Sequence, residues 1–464
     1  MTRIDLPDAM ATLRPKLGTH VEAIERRAPY GAALLSAQAA LQIRVDNREE
    51  LVSELAPTAG TVLTAFDGHT LHERAVNGFD PKAVQRGVDD LLGGASFLAG
   101  QAVDPGPPRR GDFETPMEIP PSRLTTAEKL ERCRELHRRL QGRDSRIVNA
   151  RVTYTEMGEH KVFRNRAADL AQHVQRVRLF VFVMVSGGDG VQYEWDQKSA
   201  SGGWERLTFS DEELQRVVDN ALALLTAERI EPGEYTVVAS PGVAGTICHE
   251  SFGHGVETDM FLKGRARAAG FVGKRVGSDL VHIWDDPSQP GALGGYFFDD
   301  EGMLAAPTHI VDTGVFRQGI TDLYSATALR LPRTPNGRRQ DFSRKAYARM
   351  TATFFGPGST AFDDLIAGVD RGIYLQKWDS GMEDPQGWGI QVTCHYGREI
   401  RSGRVTERVL SPIAMTGYVP DVLQSIRAVG NDLHLDSGTC GKGHKEYVSN
   451  SAGGPHLLLK ARLG

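Results

Sequence analysis

The chain has 464 residues, of which 40% are hydrophobic and 24% are charged, and its formal net charge is −5. This composition is typical of a soluble globular protein of two or three domains, and it gives no electrostatic reason to expect nucleic acid or an anionic membrane as a partner. The N-terminus lacks the apolar stretch of a secretory signal, and the longest clean apolar run, Leu179–Val185, is much shorter than the ~20 residues that span a bilayer.

The first hundred residues predict an α/β arrangement. The Ala-rich stretch Tyr30–Leu41 predicts a helix, and the segments Thr61–Gly68 and His69–Val76 predict two strands around an Asp-Gly turn. Lys82–Ala99 has helical periodicity, whereas residues 105–121 form a Pro-rich connection that we expect to lack regular structure.

The next hundred residues combine two helices with a run of strands. Thr125 begins a helix, with Glu128 placed three residues later as a capping box requires. Residues 145–195 alternate apolar and polar residues in the manner of antiparallel strands. The segment Ser210–Glu228 predicts another helix, whose acidic first turn suits the helix dipole.

Short strands separated by Gly, Asp and Pro turns predominate in the rest of the chain. The main exception is a helix that begins with Ser240 as N-cap and Pro241 at the first helical position. We therefore predict an α+β fold, with an N-terminal α/β domain at residues 1–230 and a mostly antiparallel β-rich C-terminal domain at residues 231–464 that carries this helix.

The sequence ICHESFGHGVETD on this helix contains His249 and Glu250, followed by His254 one residue later than the zinc-protease signature H-E-x-x-H requires. At about 100° per residue, side chains five positions apart on an α-helix point roughly 140° apart, too far for one ion. Shared metal binding therefore predicts a non-α turn between Glu250 and His254, either a π-bulge or a helix end loosened by Gly253. The alternative is that the two histidines are unrelated.

A catalytic zinc ion usually keeps three protein ligands, so a third must come from elsewhere in the chain. The four cysteines are scattered and form no C-x-x-C pair, which indicates reduced thiols and a cytoplasmic protein. Cys440 lies in a loop rich in Gly and small residues and is the best candidate for the third ligand, with His434 and His444 as rivals. His395, His444 and Tyr447 are candidates for stabilising an oxyanion.

Several longer stretches of the C-terminal half carry a family resemblance. In chain order they are CHESFGHGVETD, GSDLVHIWDDPSQPGALGGYFFDDEG, TDLYSA, NGRRQDF, RMTATF and AVGNDL…SGTCGKG. On these stretches the chain resembles the TldD/PmbA family of metallopeptidases, and specifically its TldD-like branch, whose H-E-x-x-x-H motif is absent from PmbA-like chains. The N-terminal half matches only in outline.

The resemblance implies that His249, His254 and Cys440 bind one zinc ion per chain, and that Glu250 is the general base in amide hydrolysis by a metal-activated water. It also implies a homodimer, or a heterodimer with a PmbA-like paralogue. The implied substrate is a flexible peptide or a small amide. One departure from the family, Ala352 where many members have Asn, leaves the implied ligands intact.

Two other functions remain open. Cys440 could be the nucleophile of a cysteine hydrolase with His249 or His254 as base, an arrangement that needs no helix break but leaves Glu250 without a role. The chain could also be a non-catalytic subunit that binds extended peptides at a sheet edge, and this predicts no bound metal.

Two further clusters of polar residues are interpreted as structural. His69, His72 and Glu73 flank a hairpin turn, where strand alternation predicts solvated side chains. A later acidic run predicts two acidic turns separated by a strand segment rather than a cation site. Its members are Asp285, Asp286, Asp299, Asp300 and Glu301.

Overall fold

The computed structural model describes residues 4–98, 102–188, 190–443 and 446–464. The helices are α1 (Asp8–Leu13), α2 (Leu17–Glu25), α3 (Pro81–Gly94), α4 (Thr126–Gln141), α5 (Asp211–Leu224), α6 (Pro241–Phe252), α7 (Thr258–Leu262), α8 (Leu323–Leu329), α9 (Phe362–Ala367) and α10 (Val419–Gln424). Short 3-10 helices occur at Arg14–Lys16, Pro121–Arg123, Trp204–Arg206, His254–Val256 and Arg267–Phe271.

The strands of the first half are β1 (Tyr30–Asp46), β2 (Glu50–Phe66), β3 (Leu71–Asn77), β4 (Arg109–Glu114), β5 (Ile147–Asn165), β6 (Ala168–Gly187) and β7 (Gly190–Ser201). Those of the second half are β8 (Gly233–Ala239), β9 (Ile283–Asp285), β10 (Thr308–Asp312), β11 (Val315–Phe316), β12 (Gly337–Arg338), β13 (Tyr347–Ala348), β14 (Ala352–Phe355), β15 (Arg371–Asp384), β16 (Gly389–Arg401), β17 (Arg404–Leu410), β18 (Ile413–Tyr418), β19 (Ala428–Val429), β20 (His434–Lys442), β21 (Glu446–Gly454) and β22 (Leu457–Leu463). The predicted α+β class is confirmed.

The first seven strands form one sheet in the order β3-β2-β1-β5-β6-β4, with β7 also paired to β6. All pairs in it are antiparallel except β4 with β6. The long strands β5 and β6 supply inward side chains that pack against α4 and α5. Leu140, Val152, Val181 and Val218 belong to this apolar cluster. The core of this half therefore lies between the sheet and its helices.

Several predicted elements of the first half are confirmed. At the start of α4, the Thr125 hydroxyl accepts a hydrogen bond from Glu128 N and the Glu128 carboxylate accepts one from Thr125 N, so the capping box is present. Ser210 caps α5 in the same way. The predicted hairpin is β2–β3. Helix α3 ends at Gly94, while the predicted end, Ala99, lies outside the described residues.

Two predictions for this half are wrong. The stretch Tyr30–Leu41 is part of strand β1, not a helix, because it pairs along both edges with β2 and β5 in the middle of the sheet. Tertiary pairing here overrides the helical propensity of alanine. The Pro-rich connection contains strand β4, whose six residues include no proline and therefore keep their N–H groups for pairing with β6.

The second half is built from two main sheets with helix α6 between them. One sheet has the order β11-β10-β9-β14-β21-β20, and the other has the order β15-β8-β22-β18-β16-β17 with β19 on β22. Helix α6 begins at Ser240 and Pro241 as predicted and packs against β14, β15, β16 and β21. Most pairs are antiparallel, with β14–β21 and β8–β15 as parallel exceptions. The proposed domain division near residue 230 stays a prediction, with β1–β7 before it and β8–β22 after it.

The polar clusters interpreted as structural are less solvated than predicted. His69 is exposed, but His72 and Glu73 are half-buried, and the Glu73 carboxylate pairs with the buried Arg339 guanidinium. The turn prediction holds for part of the acidic run: Asp286 accepts a hydrogen bond from Ser288 N, and Asp300 and Glu301 lie in a turn, whereas Asp285 ends strand β9. All five residues are buried, and Asp300 pairs with Lys161 of the first half.

Candidate metal centre

Helix α6 ends between His249 and His254, as binding of one metal ion by both histidines would require. Its last residue is Phe252, and Gly253, with φ −93° and ψ −82°, leaves α geometry. The 3-10 helix His254–Val256 follows directly. The predicted non-α turn between Glu250 and His254 is therefore confirmed, as a loosened helix end and not as a π-bulge.

This break depends on a glycine. A Cβ atom at Gly253 would clash with the sulfur of Met350 and with the carbonyl oxygen of His249. Beyond the break, the imidazole rings of His249 and His254 have centroids 5.0 Å apart and lie at 88° to each other. Two side chains that a continuous helix would separate therefore face one space.

Cys440, on strand β20, completes a group that we call the α6 cluster: His249, His254 and Cys440. One potential ligand atom from each residue lies within 4.8 Å of the other two. Cys440 Sγ is 3.0 Å from His254 Nε2 and is separated from it by 186 residues of chain. The fold thus brings together all three residues that the sequence selected as ligands.

Each imidazole of the α6 cluster is held by a second side chain at its Nδ1 atom. Glu257 Oε2 lies 3.3 Å from Nδ1 of His254, and Asn450 Nδ2 lies 3.1 Å from Nδ1 of His249. Asn450 Oδ1 has no partner, so exchanging the two ends of this amide would let Oδ1 accept from His249 Nδ1–H. With Nδ1 held in this way, Nε2 is the nitrogen that each ring has left for a metal ion, which is the arrangement that metal-binding histidines use.

The charges around the cluster favour a thiolate. Burial alone would raise the pKa of the Cys440 thiol, but hydrogen bonds from His249 and His254 lower it to about 5. Burial opposes a charged His254, yet the Glu257 carboxylate raises the pKa of that imidazole well above its usual value. A metal ion that displaced the proton of His254 would meet two imidazoles and a thiolate, a donor set that suits zinc.

Glu257 is itself fixed by two cations. It is 1% exposed, and its carboxylate lies 2.9 Å from Lys442 Nζ and 3.5 Å from Arg349 Nε. Burial would raise the pKa of Glu257, but Lys442 and His254 lower it to about 2. This carboxylate therefore stays ionised and holds the His254 ring in one orientation.

Glu250 lies beside the cluster, with its carboxyl group buried. Carboxylate oxygens of Glu250 and of Glu383, on strand β15, lie within 4.8 Å of each other and of a His254 nitrogen. Burial, and then the hydrogen bond with Glu383, raise the pKa of Glu250 to about 9. A Cβ atom at Gly381 would clash with the Glu250 carboxyl group, so the backbone of β15 approaches it closely.

A cavity of about 260 Å³ opens onto His249 and Glu250. Its other walls include Thr246 of α6, Trp378 of β15 and Asp436 of β20. Trp378 Nε1 donates a hydrogen bond to Asp436 Oδ2 at 2.8 Å, which links the two strands across the cavity. The cavity gives a reactant access to the carboxyl group and to one imidazole.

The other candidates that the structure describes are not part of the α6 cluster. His434 is exposed at the start of β20, with Nε2 3.4 Å from Asp436. The Nε2 atom of His395 is 2.8 Å from the carbonyl oxygen of Tyr193, and the Tyr447 side chain is exposed. His444 lies outside the described residues.

Sequence reasoning missed Glu257, Asn450 and Glu383. A signal for Glu257 existed, because a 3-10 helix places residues three apart on the same side, and Glu257 follows His254 by three. Asn450 and Glu383 reach the site on β21 and β15, far along the chain, and no local pattern marks them.

Comparisons with known proteins identify relatives of this chain. The family models described as the PmbA/TldA metallopeptidase central and C-terminal domains match residues 119–229 and 232–462. A metalloprotease of Methanothermobacter thermautotrophicus is 32% identical over 347 residues, 74% of each chain. The zinc metalloprotease TldD homolog of Saccharolobus solfataricus is 30% identical over 249 residues, 53% of this chain and 54% of that protein.

Solved structures share the fold. TldE from Thermococcus kodakarensis matches 98% of this chain and 100% of its own with a TM-score of 0.75, at 17% identity. At that identity the likeness is one of fold alone. No helix within the described ranges is long and apolar enough to cross a membrane.

Proposed function

The chain belongs to the PmbA/TldD family of metallopeptidases, and from that premise we propose that it hydrolyses amide bonds with one zinc ion held by His249, His254 and Cys440. The observation that carries the proposal is the convergence of these three side chains, from two distant segments, beside the buried carboxyl group of Glu250. The zinc metalloprotease name of the Saccharolobus relative supports the choice of metal. A thiolate ligand also favours zinc over manganese.

Glu250 has the position and the proton affinity for acid–base work. Zinc, when bound, supplies Lewis-acid activation of water and of the substrate carbonyl group. Glu250 accepts the proton of the attacking water and then donates it to the departing amine. Burial and the neighbouring Glu383 raise the pKa of Glu250 to about 9, so its carboxylate is a strong base once ionised, and the positive charge of a bound zinc ion would favour that ionised form.

The substrate class follows from the shape of the site. Strand β20, which carries Cys440, is the last strand of its sheet, so an extended peptide could pair alongside it and pass the α6 cluster. We propose a flexible peptide or a small amide as substrate, since a folded protein would not enter a cavity of about 260 Å³. We also propose a homodimer or a heterodimer with a PmbA-like paralogue, as the family resemblance implies.

The test is metal content together with peptide hydrolysis. Protein purified without chelator and freed of weakly held ions by gel filtration should retain about one zinc per chain, and Cys440→Ala and His254→Ala should retain none under the same conditions. His434→Ala is the matched control, because His434 is exposed on the same strand as Cys440 and should leave the metal in place. Wild-type protein without metal would overturn the proposal.

A cysteine hydrolase is the second candidate, and one observation favours it. Cys440 Sγ lies 3.0 Å from His254 Nε2, and His254 Nδ1 lies 3.3 Å from Glu257, which is the order of a nucleophile, a base and an orienting carboxylate. Adding a chelator distinguishes the metallopeptidase from the cysteine hydrolase, because it would abolish metal-dependent hydrolysis and leave thiol-dependent hydrolysis intact. The third hypothesis, a non-catalytic peptide-binding subunit, predicts neither metal nor hydrolysis.

A further inference from the structure

A second group of side chains that could bind a metal lies near the edge of the six-stranded sheet opposite strand β20. His282 directly precedes β9, His309 is on β10, and Asp312 is the last residue of β10. One potential ligand atom from each lies within 4.8 Å of the other two. We call this group the β10 cluster, and none of its residues belongs to the site described above.

The contacts within the β10 cluster leave ligand atoms available. His282 Nδ1 is 3.5 Å from Asp312 Oδ1 and accepts a hydrogen bond from Thr313 N at 3.5 Å, so Nε2 is the nitrogen of His282 left for an ion. The same carboxylate oxygen of Asp312 accepts a hydrogen bond from the Thr313 hydroxyl at 2.9 Å. Arg317 donates to the other oxygen, Oδ2, at 3.0 Å. Arg317 therefore orients the Asp312 carboxylate without occupying the oxygen that faces His282.

His309 supplies an independent observation. Its Nε2 atom is buried and has no hydrogen-bond partner, although a buried polar nitrogen normally has one. The indole of Trp284 stacks on this imidazole with ring centroids 3.6 Å apart and planes 8° apart. The ring is thus fixed in place, while one of its nitrogens remains unpaired.

We propose that the β10 cluster is a second metal site, which binds a divalent transition ion through His282, His309 and Asp312. Two imidazoles and one carboxylate suit Ni²⁺, Cu²⁺ or Zn²⁺, whereas Mg²⁺ and Ca²⁺ prefer oxygen ligands alone. The side chains of His282 and Asp312 are 40% and 35% exposed, so the ion is exchangeable and keeps open positions for water.

The second site is separate from the proposed catalytic one. Strands β9, β14 and β21 lie between β10 and β20, so four strand spacings of about 4.8 Å put the two clusters roughly 19 Å apart. An ion at the β10 cluster would therefore not touch the reacting atoms. It would join the segment before β9 to the end of β10.

The fluorescence of Trp284, whose indole stacks on His309, reports binding at the β10 cluster. Ni²⁺ is titrated into the full chain while tryptophan fluorescence is followed, because a paramagnetic ion next to the His309 ring should quench Trp284. With zinc already bound at the α6 cluster, the quenching by Ni²⁺ should be lost in Trp284→Phe, and in His282→Ala the half-quenching concentration should rise more than about tenfold, since one of three ligands is gone. His69→Ala, at an exposed histidine outside both clusters, should behave as wild type.

Two further variants make the result decisive. Asp312→Asn keeps the shape of the side chain and should also raise the half-quenching concentration, which guards against misfolding of a histidine variant. The same titration in Cys440→Ala should show unchanged quenching, so the second site is tested even if the α6 cluster binds nothing. Equal quenching in wild type, His282→Ala and Asp312→Asn would overturn the proposal.

Discussion

The α6 cluster and the β10 cluster each place two imidazoles and one anionic side chain within 4.8 Å, yet their surroundings differ. In the α6 cluster the Cys440 thiol is 4% exposed and a second side chain holds each imidazole. In the β10 cluster His282 is 40% exposed. The α6 cluster also has a buried Glu and a cavity beside it. Ligand atoms alone thus suffice to bind an ion, whereas hydrolysis also needs a proton carrier and room for substrate.

The largest effect should come from removing the proton carrier. Glu250→Gln keeps the shape of the side chain but cannot accept a proton, so peptide hydrolysis should fall about 10²- to 10⁴-fold. Zinc content should stay that of wild type, because Glu250 is not one of the three ligands. Equal loss of metal and activity would show instead that Glu250 binds the ion.

The next effect concerns the side chain that holds His254. Glu257→Gln removes a buried negative charge between His254 and Lys442, so zinc affinity should fall about 10- to 100-fold in a chelator competition. Glu407→Gln, at a fully exposed carboxylate, is the control and should change nothing. Unchanged affinity in Glu257→Gln would mean that this carboxylate does not position the ring.

A smaller effect should follow from displacing Glu250 without removing it. Gly381→Ala adds a methyl group against the Glu250 carboxyl, so turnover should drop about tenfold or more with zinc content unchanged. The matched control is Gly389→Ala, where an added Cβ on the neighbouring strand β16 meets nothing within 4 Å. Similar turnover in the two variants would contradict the packing described at β15.

The smallest effect belongs to the β10 cluster. Asp312→Asn should weaken binding of the second ion about tenfold and leave peptide hydrolysis unchanged, because the clusters share no residue. Isothermal titration with Ni²⁺ beside a turnover assay gives both quantities. A parallel loss of turnover would show that the two clusters are coupled through the sheet.

Local signals predicted the parts of this protein that depend on neighbours in sequence. The Ser240 cap, the Gly253 break and the capping box at Thr125 are contained in a few residues, and each is confirmed. The Ala-rich stretch of β1 was predicted wrongly because its structure is set by β2 and β5 rather than by its own propensity.

The difference between local and long-range contacts also explains which residues of the site the sequence did not reveal. The four proposed residues were found because they stand in unusual local contexts, a late histidine and a cysteine among glycines. Asn450 and Glu383 come from strands whose register no local pattern specifies. Asp285 was predicted as part of a turn but is fully buried, with hydrogen bonds from Asn336 and from both Thr351 and Thr353. Such a network depends on three strands meeting, which one sequence does not reveal.

The long stretch of chain between His254 and Cys440 also has a consequence for the stability of the fold. An ion shared by the two would act as a cross-link across 186 residues, in the manner of a long-range disulfide. Closing a loop of that size in the unfolded chain costs about 5 kcal/mol of conformational entropy. An ion that held both residues would lower the entropy of the unfolded chain by this amount and so stabilise the folded chain. Zinc would then fasten the two ends of the C-terminal half together, and its removal would loosen strand β20 against helix α6 before any other part of the sheet.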